Sequence, residues 1–165
     1  MKIIFGKPDI RKKDIDDVTN VLKSGWLGTG PKVKEFESLF SKYKGTKDAL
    51  ALNSCTSAIH LALIASGIDQ GDEVITSAMT FAATANTILH CNAKPILVDC
   101  DSNGLINPDL IEENITNKSK AIIVVHYAGL SCDMDRIVSI ANKYNLKIIE
   151  DCAHAIETTY KGIEA

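Results

Sequence analysis

Two carboxylates and a histidine stand where an apolar run of the sequence ends. The run at 147–150 predicts a strand, and Asp151 and His154 follow it within the segment E-D-C-A-H-A. A charge beside buried hydrophobic sequence is costly unless it is paired. One suitable partner is the pyridine nitrogen of pyridoxal phosphate (PLP), because a carboxylate that keeps this nitrogen protonated strengthens the ring as an electron sink. An N-cap aspartate followed by a surface histidine explains the same residues equally well.

Hydroxyl side chains mark the start of an earlier predicted helix. The segment N-S-C-T-S-A at 53–58 follows the apolar run at 49–52 and leads directly into helical spacing. Thr56 and Ser57 either cap this helix or, with its free N–H groups, help to bind a phosphate. The segment contains no G-x-G-x-x-G or Walker pattern, so no dinucleotide or ATP fingerprint is present.

A phenylalanine and a histidine follow two other predicted strands, at 73–76 and 121–125. Phe81 stands at a predicted helix start, where it either stacks on a flat heterocycle or packs as a core or hydrophobic-staple residue. His126, in the run H-Y-A-G, is either a ligand contact or a partly buried histidine. Cys152 lies beside the carboxylates and is interpreted as a packing residue, since no base or cation is near it in sequence.

The elements that must position these residues alternate along the chain. Apolar periodicity predicts helices over 12–23, 32–43, 56–65, 80–91, 108–114 and 133–144, and strands over 49–52, 73–76, 94–98, 121–125 and 147–150. Such alternation predicts an α/β protein with a largely parallel sheet covered by helices on both faces. Ligands of such sheets bind where the strands end, which is where the candidate residues stand.

Composition limits the partners and the compartment. The chain has 165 residues, 45% of them hydrophobic, and a net charge of −3, so we expect a globular fold with neither nucleic acid nor a membrane as partner. The five cysteines are odd in number and none forms a C-x-x-C pair. This pattern favours reduced thiols in a cytoplasmic protein over a disulfide framework or a metal site.

Six segments stand in a recognisable order. They are S-G-W-L-G-T-G-P at 24–31 with its continuation K-E-F-E at 34–37, S-C-T-S-A at 54–58, G-D-E-V-I at 71–75, T-F-A-A-T-A-N at 80–86, P-I-L-V-D at 95–99 and E-D-C-A-H-A at 150–155. Together they resemble the DegT/StrS-type sugar aminotransferases, which are fold-type I PLP enzymes. The resemblance implies a three-layer PLP-transferase large domain with a mostly parallel sheet, present incompletely over 12–165 behind an amino-terminal arm at 1–11.

The same resemblance implies a role for each matching residue. It places Asp151 and His154 in the catalytic site, with Asp151 on the ring nitrogen and His154 near the phenolic oxygen of PLP. The remaining implied roles are phosphate binding by Thr56 and Ser57, ring stacking by Phe81, and contact with the substrate side by Trp26 and Thr29.

The activity implied by the resemblance is amino transfer from glutamate to a keto group of a nucleotide-linked sugar. The runs at 126–129 and 159–162 look closer to members that aminate C4 of UDP-sugars. Products of such enzymes enter cell-surface or secondary-metabolite sugars. Family members are homodimers whose active sites lie at the subunit interface.

Two departures from the family pattern affect these expectations. Gly28 replaces a threonine of the motif at the substrate edge. The Schiff-base lysine of the family lies in an S-x-x-x-x-K segment whose place in the family order comes after residue 165, and Lys161 stands in a run that resembles a family hairpin instead. We therefore expect residues 1–165 to be an amino-terminal fragment that is inactive alone.

Several alternatives remain open at the level of sequence. A sugar dehydratase that uses pyridoxamine phosphate (PMP) resembles these enzymes but carries histidine in place of the lysine. A non-catalytic truncated scaffold is disfavoured by the intact Asp151, Thr56 and Phe81. A different fold-type I enzyme, such as a cysteine desulfurase or an amino-acid aminotransferase, is disfavoured by the segment at 24–31.

Overall fold

The protein divides into two compact units, residues 1–51 and residues 52–165. The computed structural model describes residue 6 and residues 8–164. Residues 1–5 and 7 of the predicted amino-terminal arm lie outside the described residues. The boundary of that arm at residue 11 therefore stays a prediction.

The first unit consists of two helices joined by a Gly-rich loop. Helix α1 spans Lys12–Ser24 and helix α2 spans Pro31–Lys44, in agreement with the predicted helices. Gly25 ends α1 in the left-handed conformation, and Pro31 begins α2 at a position where its missing N–H costs nothing. Neither helix buries a residue, and large apolar side chains are exposed on both: Ile15, Val18 and Leu22 on α1, and Phe36 and Leu39 on α2.

The second unit alternates helices and strands as the sequence predicts. Its elements are α3 (Cys55–Ala65), β1 (Glu73–Ser77), α4 (Ala82–His90), β2 (Lys94–Val98), α5 (Pro108–Glu113), β3 (Ser119–Val125), α6 (Met134–Tyr144), β4 (Lys147–Asp151), β5 (Thr159–Tyr160) and β6 (Ile163–Glu164).

One predicted strand is wrong. Residues 49–52 form no strand, and Leu50 is exposed to solvent. An apolar run becomes a strand only where a neighbouring strand satisfies its backbone groups. Across residues 8–164, the four-stranded sheet ends at β2 on one side and β4 on the other, and no strand of it pairs with this run.

The main sheet is parallel throughout, with the strand order β2-β1-β3-β4. Alternate residues of the central strand β3 serve opposite faces. Ile122 and Val124 pack with α5 and α6 residues in one apolar cluster, and Ala121 and Ile123 pack with α3 and α4 residues in the other. The predicted three-layer arrangement is therefore present.

A short hairpin follows the sheet. Lys161 and Gly162 form its turn, both with positive φ (51° and 82°), which suits glycine at the second position. The hydroxyl of Tyr160 donates to Asp133 over 3.0 Å, and the ammonium of Lys161 pairs with Asp135. These contacts anchor the hairpin on the start of α6 and raise the pKa of Lys161, chiefly through its hydrogen bond to Asp135.

The central strand should dominate the stability of the second unit. Ile123 is fully buried, so Ile123→Ala should cost about 2–5 kcal/mol of unfolding free energy, because it leaves a cavity between β3 and the helices. Leu97 on edge strand β2 is 55% exposed, and Leu97→Ala should cost about 1 kcal/mol or less. Chemical denaturation of both variants checks this difference, and equal costs would contradict the assigned core.

Candidate functional site

A cleft opens at the edge of the sheet where the parallel strands end. Its volume is about 660 Å³, within the usual range for small-molecule sites. It lies wholly in the second unit, between the starts of α3 and α4 and the loops that follow β1, β3 and β4. Its lining comprises Cys55, Thr56, Ile59, Ala78, Met79, Thr80, Phe81, Ala83, Thr84, Tyr127, Asp151, Ala153 and His154.

The carboxylate of Asp151 is the charged group of this cleft. The residue ends strand β4 and is only 6% exposed. Its Oδ1 accepts from the backbone N–H of Ala153 at 3.2 Å and from the thiol of Cys55 at 3.7 Å, and its Oδ2 accepts from the hydroxyl of Thr84 at 2.9 Å. Three donors from three segments of the chain therefore offset the cost of its burial.

Thr84 belongs to a pair of hydroxyl groups at the start of helix α4. Its Oγ1 lies 2.7 Å from Oγ1 of Thr80, four residues earlier, and 2.9 Å from Oδ2 of Asp151. The sequence pattern does not predict Thr84 and Cys55 as neighbours of Asp151. The only signal was the repeated threonine in T-F-A-A-T, whose spacing puts both hydroxyls on one side of a helix start.

The start of helix α3 is partly capped and partly open. Ser54 accepts from the backbone N–H of Ser57 at 3.1 Å, and the Ser57 hydroxyl donates to Asn53 at 2.7 Å. Among the described residues, the backbone N–H groups of Cys55 and Thr56 have no acceptor. Thr56 lines the cleft, whereas Ser57 is engaged in the cap and does not. This open helix start, with its positive dipole end, suits an anion.

Aromatic rings form another part of the cleft wall. Phe81 is the N-cap residue of α4 and is 77% exposed, so the core-packing interpretation of this residue is wrong. Its ring is available to stack on a flat ligand. The rings of Tyr127 and His154 lie 5.9 Å apart and line the cleft near Ala153.

His126 does not contact the cleft. It is fully buried, its Nδ1 accepts the backbone N–H of Cys132 at 3.2 Å, and its Nε2 lies 2.8 Å from Oε2 of Glu150. Because Nδ1 serves as an acceptor, the ring proton is on Nε2 and is donated to Glu150. The buried-histidine interpretation is therefore the correct one, and His126 ties the end of β3 to the end of β4.

The same histidine belongs to one group with metal-ligand chemistry. His126, Glu150 and Cys152 can place one ligand atom each within 4.8 Å of one another. A metal-bound histidine normally donates its second ring N–H to an acceptor. Here the second nitrogen accepts a backbone N–H instead, so a metal on Nε2 conflicts with the hydrogen bond that is present.

Burial is the main cause of a raised pKa at three thiols, those of Cys55, Cys91 and Cys132. Burial raises the pKa of the Cys55 thiol, and the charge of Asp151 and the hydrogen bond to it raise this pKa further. Burial also raises the pKa of Cys132 to about 12. These groups are therefore thiols rather than thiolates at neutral pH. Within residues 8–164 none of the five cysteines forms a disulfide bond, and Cys132 is a buried packing residue.

The residues predicted for the substrate side lie in the first unit. The indole N–H of Trp26 donates to the backbone oxygen of Thr29 at 3.0 Å. A Cβ on Gly30 would lie 1.7 Å from the indole nitrogen, so a larger residue there would displace the indole ring from this position. Trp26 lines a cleft of about 530 Å³ within this unit, together with Leu27, Gly28 and the first residues of α2. The substrate-side role of Trp26 and Thr29 stays a prediction.

The profile of the DegT/DnrJ/EryC1/StrS aminotransferase family matches residues 8–165, nearly the whole chain. The chain belongs to this family. Among curated proteins it is similar to the spore coat polysaccharide biosynthesis protein SpsC of Bacillus subtilis, with 51% identity over 158 residues. That match covers 95% of the chain and 41% of SpsC, so the chain spans about two fifths of the length of this relative.

Solved structures of similar proteins support the same assignment. A proposed sugar aminotransferase from Streptococcus pneumoniae, in its PLP form, superposes with a TM-score of 0.94 at 38% identity, over 100% of this chain and 46% of that one. NtdA from Bacillus subtilis with bound PMP superposes with a TM-score of 0.88 at 40% identity, over 94% of this chain and 37% of that one. The predicted family, the fold-type I architecture and PLP as the family cofactor are confirmed.

Within the described residues, no helix is both long and apolar enough to cross a bilayer.

The contact between Cys55 and Asp151 can be tested without any ligand. Asp151→Asn removes the negative charge that raises the pKa of Cys55, so a larger fraction of this thiol should ionise at pH 8. We expect iodoacetamide to alkylate Cys55 several-fold faster in the variant, as measured by peptide mass spectrometry. Glu113→Gln, which removes an exposed carboxylate on α5, should leave the rate unchanged. A slower or equal rate in Asp151→Asn would contradict the contact.

Proposed function

We propose that this chain contains the cofactor-binding site of a PLP-dependent sugar aminotransferase. The observation that carries the proposal is the buried carboxylate of Asp151 on the floor of a cleft that also contains an exposed aromatic ring and an open helix start. A protonated pyridine nitrogen, a flat ring and a phosphate are the three ligand features that such groups bind. The donor set of the cleft therefore fits PLP.

Each residue has a defined task in this proposal. Thr56 and the backbone N–H groups at the start of α3 bind the phosphate. Ser57 fixes the conformation of this helix start through its hydrogen bonds with Ser54 and Asn53. Phe81 would stack on the ring, and the carboxylate of Asp151 would accept a hydrogen bond from the protonated ring nitrogen. His154 would lie near the phenolic oxygen of PLP. When bound, PLP supplies an electron sink that stabilises negative charge on the substrate carbon.

The substrates proposed for the complete activity are those of nucleotide-sugar amination. Glutamate donates the amino group and a keto group, at C4 of a UDP-linked sugar, receives it. The polysaccharide-biosynthesis name of SpsC, 51% identical, supports a product that enters cell-surface sugars. The residues proposed on the substrate side are Trp26 and Thr29.

Two further properties complete the proposal. A homodimer is supported by the exposed apolar side chains of α1 and α2, which need cover from water in a stable protein. A cytoplasmic location is supported by the five cysteines, none of which forms a disulfide bond within residues 8–164.

Binding of PLP should be visible in its absorbance spectrum. Titration of the protein should shift the PLP band with saturable binding, and Asp151→Ala should weaken binding about tenfold or more, because a charge-assisted hydrogen bond is lost. Glu113→Ala, an exposed carboxylate on α5, is the matched control and should bind as the wild type does. No spectral change in the wild type, or an affinity of Asp151→Ala for PLP equal to that of the wild type, would contradict the proposed PLP-binding site.

Residues 1–165 alone should not catalyse transamination. None of the residues that line the cleft is a lysine, and Lys161 is paired with Asp135 in the hairpin. As far as residues 8–164 define it, the cleft therefore contains no amine able to move a proton in the reaction. Incubation with glutamate and PLP should give no 2-oxoglutarate above the protein-free rate, with an active PLP aminotransferase as assay control. Enzyme-like production of 2-oxoglutarate would disprove this.

A further inference from the structure

The hydrogen bonds of Asp151 distinguish its two oxygen atoms. A carboxylate offers about four lone-pair positions, two on each oxygen. Oδ1 accepts from both the Ala153 N–H and the Cys55 thiol. Oδ2 accepts only from Thr84 among the described residues, at 2.9 Å. The position that is left for a ligand is therefore on Oδ2, the oxygen that Thr84 holds.

The two threonines form a directed chain to that oxygen. An ionised carboxylate cannot donate, so the Thr84 hydroxyl donates to Oδ2, and its oxygen is then free to accept from Thr80 at 2.7 Å. Hydrogen bonds in such a chain polarise one another. Thr84 is fully buried in the first turn of α4, which fixes its hydroxyl relative to Asp151.

We propose that Thr84 is a positioning residue for Asp151, and that Thr80 supports it. In this role Thr84 orients the carboxylate so that the open position of Oδ2 faces the ring nitrogen of PLP. Thr84 does not contact the ligand in this proposal, and acts only through Asp151. The inference rests on the proposed function, because it needs PLP in the cleft.

Three variants test the role. Thr84→Val keeps the side-chain shape and removes the hydroxyl, so the dissociation constant for PLP should rise about tenfold and the bound PLP band should shift. Thr84→Ser restores the hydroxyl and should return both values to within about twofold of wild type. Thr87→Val is the matched control. Thr87 is equally buried on α4, but its hydroxyl donates to the backbone oxygen of Thr84 and does not reach Asp151.

A second readout needs no cofactor. If Thr84 holds the carboxylate in place, Thr84→Val should loosen the contact between Oδ1 and the Cys55 thiol, which contributes to the raised pKa of that thiol. Alkylation of Cys55 should then be several-fold faster in Thr84→Val, and as in wild type in Thr84→Ser and Thr87→Val. Circular dichroism of each variant confirms that the fold is kept.

The outcomes separate this inference from the proposed function. PLP binding by wild type that is weakened in Asp151→Ala but unchanged in Thr84→Val would overturn the inference alone. Equal losses in Thr84→Val and Thr87→Val would also overturn it, because a general packing defect would then explain them. No PLP binding by wild type would overturn both.

Discussion

A carboxylate that is 6% exposed at the end of an apolar strand sets the main constraint on this protein. Strand β4 delivers Asp151 to the cleft, and burial of its charge without donors would cost several kcal/mol. The fold supplies those donors from the beginnings of α3 and α4 and from the loop after β4. The geometry of the cleft follows from this requirement, since all three segments must converge on one side chain.

The parallel sheet is what makes this convergence possible. Its strands end at a common edge, so the loops after β1, β3 and β4 meet although they are far apart in sequence. His126 connects the ends of β3 and β4. Its Nε2–H donates to Glu150, which precedes Asp151, and its Nδ1 accepts from the backbone N–H of Cys132. The hairpin contact of Tyr160 with Asp133 anchors the chain that continues beyond His154.

Local patterns in the sequence predicted most of the elements, because helices and buried strands have periods that a short window reveals. The failure at 49–52 shows the limit, since a strand also needs a partner that the window does not contain. The residues of the candidate site were predicted only in part. Asp151 and Phe81 were identifiable from their places after strands, whereas the contacts of Thr84 and Cys55 with Asp151 span 67 and 96 residues. No local pattern encodes contacts of that range.

The groups that line the cleft are informative because they differ in chemistry and lie together. An open helix start has a simple structural explanation, and so has an exposed phenylalanine at a helix cap. A buried aspartate with three donors could serve structure alone. All three groups line one cleft of about 660 Å³. A ligand that contacts all of them must carry an anion, a flat aromatic face and a cationic N–H at separate points. A structural explanation treats these as three coincidences, whereas a pyridine ring that bears a phosphate accounts for them with one molecule.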